Sequence, residues 1–115
     1  MKSNVLADRI ESGTPYPIKA IFGAGLNPMH FPNTNRLVEK LKKLDFIVVS
    51  EYFHTPGTQL ADIVLPVSSW LERHILAMPP RTRGFASLIE PAIEPIGESW
   101  PEWKILFELA KRLGL

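Results

Sequence analysis

Hydrophobic and polar positions along the first thirteen residues follow the spacing of a short helix. The segment SNVLADRIESG, residues 3–13, carries apolar side chains at helical intervals. Ser3 or Asn4 is suited to cap its amino end, and Gly13 is suited to end it, because short polar residues and glycine favour those two positions. The pattern therefore predicts a short helix between these caps.

A strand, a helix and a second strand are predicted to follow. The apolar run IKAIFGAG, which ends in two glycines, predicts a strand over residues 18–23. The segment NTNRLVEKLKKLD, residues 33–45, places its leucines and valine on one face, which is the period of an amphipathic helix. The continuous run DFIVVSE, residues 45–51, is typical of a strand that is covered on both faces. This order predicts a right-handed βαβ unit with parallel strands.

Three more elements complete the predicted fold. The run IVLP, residues 63–66, extends the sheet, and ASLIEPAIEPI, residues 86–96, predicts a further edge strand that prolines limit. The segment WPEWKILFELAKRLG, residues 100–114, predicts a final amphipathic helix that stops at Gly114. Residues 1–115 are therefore predicted to form a single α/β domain with a mainly parallel sheet.

Composition narrows the classes of function. The 115 residues are 45% hydrophobic and 22% charged, as in ordinary globular proteins. The net charge is +1 with both signs interleaved, so no basic stripe indicates nucleic-acid binding. Cysteine is absent, which excludes disulfides, CxxC redox pairs and iron–sulfur ligation by this segment. No continuous segment approaches the roughly 18 to 20 apolar residues that a membrane-spanning helix needs, so no membrane span is expected.

The first candidate binding loop is GAGLNP, residues 23–28. In an open α/β sheet, ligands collect at the carboxyl ends of the strands, where this loop is predicted to lie. Gly23 and Gly25 lack a Cβ and so let a ligand approach the backbone, and Asn27 beside Pro28 both donates and accepts hydrogen bonds. The same residues equally describe a tight turn, because Gly, Asn and Pro mark turns freely.

The second candidate loop begins where the strand DFIVVSE ends. Glu51 stands where a Rossmann-type domain places the carboxylate that accepts hydrogen bonds from a ribose. It lies 26 residues after Gly25, near the roughly 20 expected in that fold. The alternative is a solvated acid at a strand end.

The other chemically reactive side chains do not match the spacing of a known metal-binding or catalytic motif. His30, His54 and His74 show no HxxxH or HExxH pattern, so loop and surface histidines are the preferred interpretation. The serines at 68–69 lack a GxSxG elbow and are expected instead to cap a helix at WLER. The segment RTRG, residues 81–84, is as consistent with a solvated loop as with a phosphate site.

The order of these segments resembles the molybdopterin-binding oxidoreductases of the dimethyl sulfoxide reductase family. The matching stretches are PYPIKAIFGAGLNP, then DFIVVSEYFHTPGTQLADIVLPVSSWLE, then EPIGESWPEWKILFELAKRLG. Most specific is ADIVLP with Trp70 and Glu72 behind it, preceded by Glu51, eleven residues ahead of Asp62. The resemblance implies a large molybdenum or tungsten enzyme, of which this chain is one Rossmann-like, three-layer α/β domain between an N-terminal part and a C-terminal β-barrel part.

The resemblance also implies a role for the second loop. In this family the loop grips one end of a molybdopterin guanine dinucleotide, where an acid matches two guanine or ribose donors at once and a threonine hydroxyl adds a polar contact. By position, Glu51 would be that acid and Thr55 that hydroxyl. Asp62 would contact the nucleotide or cap the turn into IVLP. The family usually has Asp at position 51 and a TxT pair where this chain has TPGT, so Thr58 is displaced by one.

The predicted function follows from the resemblance. The chain is expected to contribute to the molybdopterin guanine dinucleotide site of an oxidoreductase catalytic subunit, with no metal bound and no catalysis by the fragment alone. The implied partners are the remaining domains of the parent enzyme, which hold the usual protein ligand to the metal, and an electron-transfer iron–sulfur subunit. The compartment is left open between cytoplasm and periplasm. The alternatives are a free-standing nucleotide-binding or regulatory module and an accessory interaction protein.

Overall fold

Short strands and helices alternate along the chain. Residues 5–77 and 86–115 are described in the computed structural model of the chain. The elements lie in the order α1 (Leu6–Ser12), β1 (Ala20–Ala24), a 3-10 turn (Pro28–His30), α2 (Thr34–Leu41), β2 (Phe46–Glu51), a second 3-10 turn (Thr58–Leu60), β3 (Ile63–Pro66), β4 (Ile75–Ala77), β5 (Ser87–Ile89) and α3 (Glu102–Arg112). The chain divides into two compact units, residues 1–65 and residues 66–115.

The first unit contains the predicted βαβ arrangement. Strand β1 pairs with β2 in parallel, from Ala20 opposite Phe46 to Ala24 opposite Ser50, and α2 connects the two strands. Strand β3 follows on the far side of β2, so the sheet order is β1-β2-β3 and the sheet is parallel. The predicted α/β class is therefore confirmed. The three-layer, Rossmann-like form stays a prediction.

A small apolar core holds α1 and α2 against this sheet. Its buried members are Leu6, Leu26, Leu37, Leu41, Ile47 and Val49. Helix α2 contributes Leu37 and Leu41, which are four residues apart and so lie on the same helical face. The apolar residues of α2 recur at helical spacing because they pack on this core. The opposite face of the helix carries lysine and glutamate.

Helix α1 begins at a residue that was not predicted and ends at the predicted one. Ser3 and Asn4, the predicted caps, lie outside the described residues, and Val5 occupies the N-cap position without a side-chain hydrogen bond. Gly13 adopts a left-handed conformation at the C-cap with φ of 61°, and its N–H donates to the carbonyl oxygen of Arg9. The predicted stop at Gly13 is confirmed, because that conformation favours glycine.

Ion pairs connect α1 to α2 at the surface. The Glu11 carboxylate accepts from Lys40 Nζ at 2.6 Å and from Arg36 Nη2 at 2.8 Å. Asp8 Oδ1 lies 2.6 Å from Nη1 of the same arginine. The hydrogen bonds from Lys40 and then Arg36 lower the pKa of Glu11 from 4.5 to about 2.

This cluster predicts an acid-dependent loss of stability. Because the pKa of Glu11 is lower in the folded chain than in the unfolded one, its charge stabilises the fold above pH 4.5, and that stabilisation is lost as pH falls toward 2. Glu11→Gln should therefore show a shallower decrease in stability over this interval than the unaltered chain. Urea unfolding at a series of pH values measures the difference. Glu39→Gln, an exposed change on α2, should follow the unaltered chain, and identical slopes for all three proteins would contradict the prediction.

The second unit contains a two-stranded ribbon and the last helix. Strands β4 and β5 pair antiparallel, with Leu76 opposite Leu88, and form a sheet separate from the parallel one. The predicted strand at 86–96 is thus reduced to β5, and its partner β4 is not predicted from the sequence. Helix α3 confirms the predicted final helix, with Ile105 as its buried residue. None of the described helices is long and apolar enough to span a membrane.

The predicted helix at WLER is wrong. Residues 70–73 form turns and bends, and the Glu72 carboxylate accepts from the backbone N–H of Ser69 at 2.8 Å. The N–H of Glu72 in turn donates to the carbonyl oxygen of Ser69 at 3.1 Å. These two bonds close a single turn, and the chain then enters the extended strand β4 rather than continuing as a helix. The segment 81–84, considered as a phosphate site, lies outside the described residues.

Candidate functional site

Two loops meet at the carboxyl ends of β1 and β2. We call residues 23–28 the glycine loop and residues 51–60 the acidic loop. The N–H of Gly25 donates to the carbonyl oxygen of Ser50 at 2.9 Å, which holds the glycine loop beside the point where the acidic loop begins. A Cβ built on Gly57 would lie 1.5 Å from the carbonyl oxygen of Leu26, so the acidic loop touches the glycine loop a second time. These contacts fix the two loops against each other.

Gly25 and Glu51 face the same small space. Gly25 is exposed and has φ of +62°, a conformation that side chains other than glycine rarely adopt. The nearest atom to a Cβ built at this glycine is Oε2 of Glu51, at 3.8 Å. The other carboxylate oxygen, Oε1, accepts from the N–H of Tyr52 at 3.0 Å, which orients the half-buried side chain. The arrangement leaves a carboxylate oxygen beside an open stretch of backbone.

The remaining residues of the glycine loop serve its own structure. A Cβ on Gly23 would lie 2.6 Å from Cβ of Leu26, so this glycine permits close packing within the loop. Asn27 Oδ1 accepts from the N–H of Met29 at 3.1 Å and so caps the 3-10 turn. Pro28 begins that turn and is fully buried. Among the described residues, none accepts a hydrogen bond from the side-chain amide N–H groups of Asn27.

Thr55 and Thr58 form hydrogen bonds with each other that close the acidic loop. The N–H of Thr55 donates to Oγ1 of Thr58 at 2.9 Å, and that hydroxyl donates back to the carbonyl oxygen of Thr55 at 2.8 Å. The N–H of Thr58 approaches Oγ1 of Thr55 at 3.4 Å. Thr58 is buried, whereas Thr55 is half-buried and keeps its hydroxyl hydrogen available. The displaced threonine of the TPGT segment is therefore the one that organises the turn.

Asp62 lies at the opposite end of the sheet from Glu51. Its Oδ2 accepts from the N–H of Ile47 at 2.7 Å, and its own N–H donates to the carbonyl oxygen of Ile47 at 2.8 Å. Ile47 is near the start of β2 and Glu51 is its last residue, so four strand residues, or about 13 Å, separate them. The structure thus places Gly25 beside Glu51, puts Asn27 and Thr55 on the same two contacting loops, and leaves Asp62 apart.

Phe53 is a feature of the acidic loop that sequence reasoning passed over. Its side chain is 79% exposed, between the acid and the threonine turn. The only signal in the sequence is the pair of consecutive aromatic residues Tyr52 and Phe53 directly after the strand-end acid. Alternation of apolar and polar residues carries no information there, because the strand has ended.

The side chains at this edge offer hydrogen-bond donors and acceptors. A carboxylate acceptor, amide donors and a hydroxyl are the groups that pair with a nucleobase edge or a ribose. Within residues 5–77 and 86–115, no cluster of three histidine or acidic residues is placed to hold a metal ion. These donors and acceptors can therefore pair with a polar organic ligand such as a nucleotide.

Comparisons with known proteins identify the family. A family model described as "Molybdopterin oxidoreductase" matches residues 2–112. The acetylene hydratase of Syntrophotalea acetylenica is 38% identical over 104 residues, which are 88% of this chain and 14% of that protein. The trimethylamine-N-oxide reductase of Haemophilus influenzae is 38% identical over 107 residues, which are 87% of this chain and 12% of that protein.

A solved structure agrees with these sequence matches. Acetylene hydratase from Pelobacter acetylenicus superposes with a TM-score of 0.83 and 34% identity, over 96% of this chain and 15% of that one. The chain thus spans 12 to 15% of the length of these relatives.

The relatives carry names of different reactions, a hydratase and a reductase, so the match establishes a cofactor class and not a reaction. That class is a molybdenum or tungsten pterin. A free-standing nucleotide-binding or regulatory module is not favoured, because the match covers nearly the whole chain. The resemblance found in the sequence is confirmed, and this chain belongs to the molybdopterin oxidoreductase family.

Proposed function

We propose that this chain is a domain of the catalytic subunit of a larger oxidoreductase and that it binds the nucleotide end of molybdopterin guanine dinucleotide. When bound, the metal–pterin centre supplies the redox chemistry, and the protein supplies binding and orientation. The partners we propose are the remaining domains of the parent enzyme and an electron-transfer iron–sulfur subunit.

The observation that carries this proposal is the position of the Glu51 carboxylate beside the open backbone of Gly25. A carboxylate has two acceptor oxygens and so matches two neighbouring donors, such as N1–H and the 2-amino group of guanine or the two hydroxyls of ribose. The glycine lets the ligand approach without meeting a side chain. We assign Glu51 as the acceptor of the nucleotide and Gly25 as the backbone surface on which it lies.

Two further side chains complete the proposed site. The Asn27 amide group offers donors to oxygens of the ligand, while its own oxygen is occupied by the 3-10 turn. Thr55 offers its hydroxyl hydrogen from the acidic loop. Gly23 and Pro28 support the glycine loop from within, and we give them no direct contact with the ligand.

Glu51→Gln is expected to weaken binding of guanosine monophosphate (GMP) to the 115-residue chain about tenfold. The change keeps the size of the side chain but replaces one acceptor oxygen with a donor, so a ligand donor then faces a donor. The amide oxygen can still accept from the N–H of Tyr52, and the fold should persist. Titration followed by backbone amide NMR signals of residues 25–27 and 51–55 gives the affinities, and thermal unfolding gives the stability.

Analogues separate the two binding modes. Inosine monophosphate lacks the 2-amino group of guanine, and deoxyguanosine monophosphate lacks a ribose hydroxyl. Weaker binding of the first identifies the base edge as the partner of Glu51, and weaker binding of the second identifies the ribose. Glu39→Gln, an exposed change on α2, is the matched control and should bind GMP normally. Unchanged GMP affinity with a large loss of stability in Glu51→Gln would show that Glu51 is structural.

A further inference from the structure

Phe53 exposes an aromatic ring beside the proposed nucleotide site. The side chain is 79% exposed, and it lies two residues after Glu51. Single exposed apolar residues are common on protein surfaces and by themselves indicate nothing. The position of this one matters because two residues span at most about 7 Å, so the Cα atoms of Glu51 and Phe53 are no farther apart than about the length of one purine.

The segment that carries this ring is fixed at both ends. At one end, β2 is paired with β1, and the Glu51 carboxylate accepts from the N–H of Tyr52. At the other end, Thr55 and Thr58 bond reciprocally, and Gly57 lies against the carbonyl oxygen of Leu26. A ring on a segment that is already ordered loses little further conformational freedom when a ligand binds.

The neighbouring aromatic residue does not cover the ring. The ring centroids of Tyr52 and Phe53 are 6.5 Å apart, and the planes are inclined by 47°. This tilted contact orients the ring of Phe53 while its high exposure leaves surface for a planar partner. Bases stack on such rings with little dependence on their identity, since every base has a π-face.

We propose that Phe53 stacks on the nucleobase whose polar edge or attached ribose Glu51 binds. The inference rests on the proposed function and adds a contact to it. The carboxylate then selects the donors of the nucleotide, and the ring contributes affinity through the base plane. The ligand class is a guanine nucleotide, as the end of a larger cofactor or free.

The test compares Phe53→Leu and Phe53→Trp in the 115-residue chain, with GMP as the probe. Leucine keeps the apolar character and removes the ring, so affinity should fall about tenfold, while tryptophan should retain or raise it. The spectroscopic signature is the H8 proton of GMP, which a ring stacked on the base shifts upfield. That shift should appear with the unaltered chain and the tryptophan variant and disappear with leucine.

Phe107→Leu is the matched control. Phe107 is 70% exposed on α3, and it too lies in a ring pair, an edge-on contact with Trp103 whose ring centroids are 6.3 Å apart. This variant should bind GMP like the unaltered chain. If Phe53→Leu binds GMP with unchanged affinity and an unchanged H8 shift, the inference is overturned and the role of Glu51 stands; that result is expected if the ring instead contacts another polypeptide. If the unaltered chain binds no GMP, the proposed function fails together with the inference.

Discussion

Gly57→Ala is expected to lower the free energy of unfolding of the first unit by about 3 kcal/mol. A Cβ at this position would lie 1.5 Å from the carbonyl oxygen of Leu26 and 2.7 Å from its carbonyl carbon. Both are backbone atoms, so no side-chain rotation relieves the overlap. Either the acidic loop or the glycine loop must move, and the latter carries Leu26 out of the apolar core. Urea unfolding of the variant measures the loss.

The backbone conformation of Gly57 isolates this steric cause. Its φ and ψ of −70° and −41° are ordinary helical values that any residue adopts, so only the contact requires glycine. Gly13→Ala in the same unit is the matched control, because Gly13 has φ of +61° and nothing closer than 3.9 Å to an added Cβ. That change should lower the free energy of unfolding by about 1 kcal/mol, because alanine disfavours the left-handed backbone conformation at this position. A loss in Gly57→Ala no larger than in this control would contradict the packing argument.

The contact between Gly57 and Leu26 should affect ligand binding as well as stability. Gly57 holds the acidic loop against the glycine loop, and those loops carry Glu51 and Gly25, respectively. Displacement of either loop separates the carboxylate from the open backbone that we propose as its binding partner. GMP affinity should therefore fall in Gly57→Ala even under conditions where the variant is still folded, whereas it should not fall in Gly13→Ala.

The parallel part of the fold is predictable because its patterns are long. Helix α2 repeats its apolar residues over two turns, and β2 is a continuous apolar run, so each admits one interpretation. The predicted bounds of 18–23 and 45–51 differ from β1 and β2 by at most two residues at either end. The carboxyl ends of parallel neighbours lie on one edge, which is why Gly25 and Glu51 can be placed together from sequence.

Other features depend on contacts that local sequence does not contain. Strand β4 has three residues, too few for a period, and it exists through its pairing with β5. Gly57 looks like an ordinary turn glycine, since nothing near it in sequence shows that the carbonyl oxygen of Leu26 lies against it. Phe53 escapes sequence reasoning for a similar reason, because exposure beside a ligand edge is a property of the folded loops.

Asp62 lies close to the acidic loop in sequence but at the other end of β2 in the structure. The segment after Glu51 has to return to the amino end of the sheet before β3 can run parallel to β2. Asp62 comes at the end of that return and bonds to Ile47, at the start of β2. Its position within ADIVLP therefore marks the start of β3, about 13 Å from Glu51 along the sheet.

Asp62→Ala is expected to destabilise the first unit by about 2 kcal/mol and to leave GMP binding unchanged. The variant removes the acceptor of the Ile47 N–H, and Ile47 is buried, so its backbone donor is left without a partner. Hydrogen bonds to charged groups contribute roughly 1.5 to 3 kcal/mol, and an unsatisfied buried donor costs a similar amount. Urea unfolding and the GMP titration on the same protein measure the two effects.

Asp62→Asn separates the hydrogen bond from the charge. Its side-chain oxygen still accepts from Ile47, so about half of the stability should return while the negative charge is absent. If Asp62 instead contacted the nucleotide, both variants would weaken GMP binding, and the alanine variant would unfold at nearly the urea concentration of the unaltered chain. Loss of stability without loss of affinity assigns Asp62 to the start of β3, because its hydrogen-bond partner Ile47 lies four strand positions from Glu51.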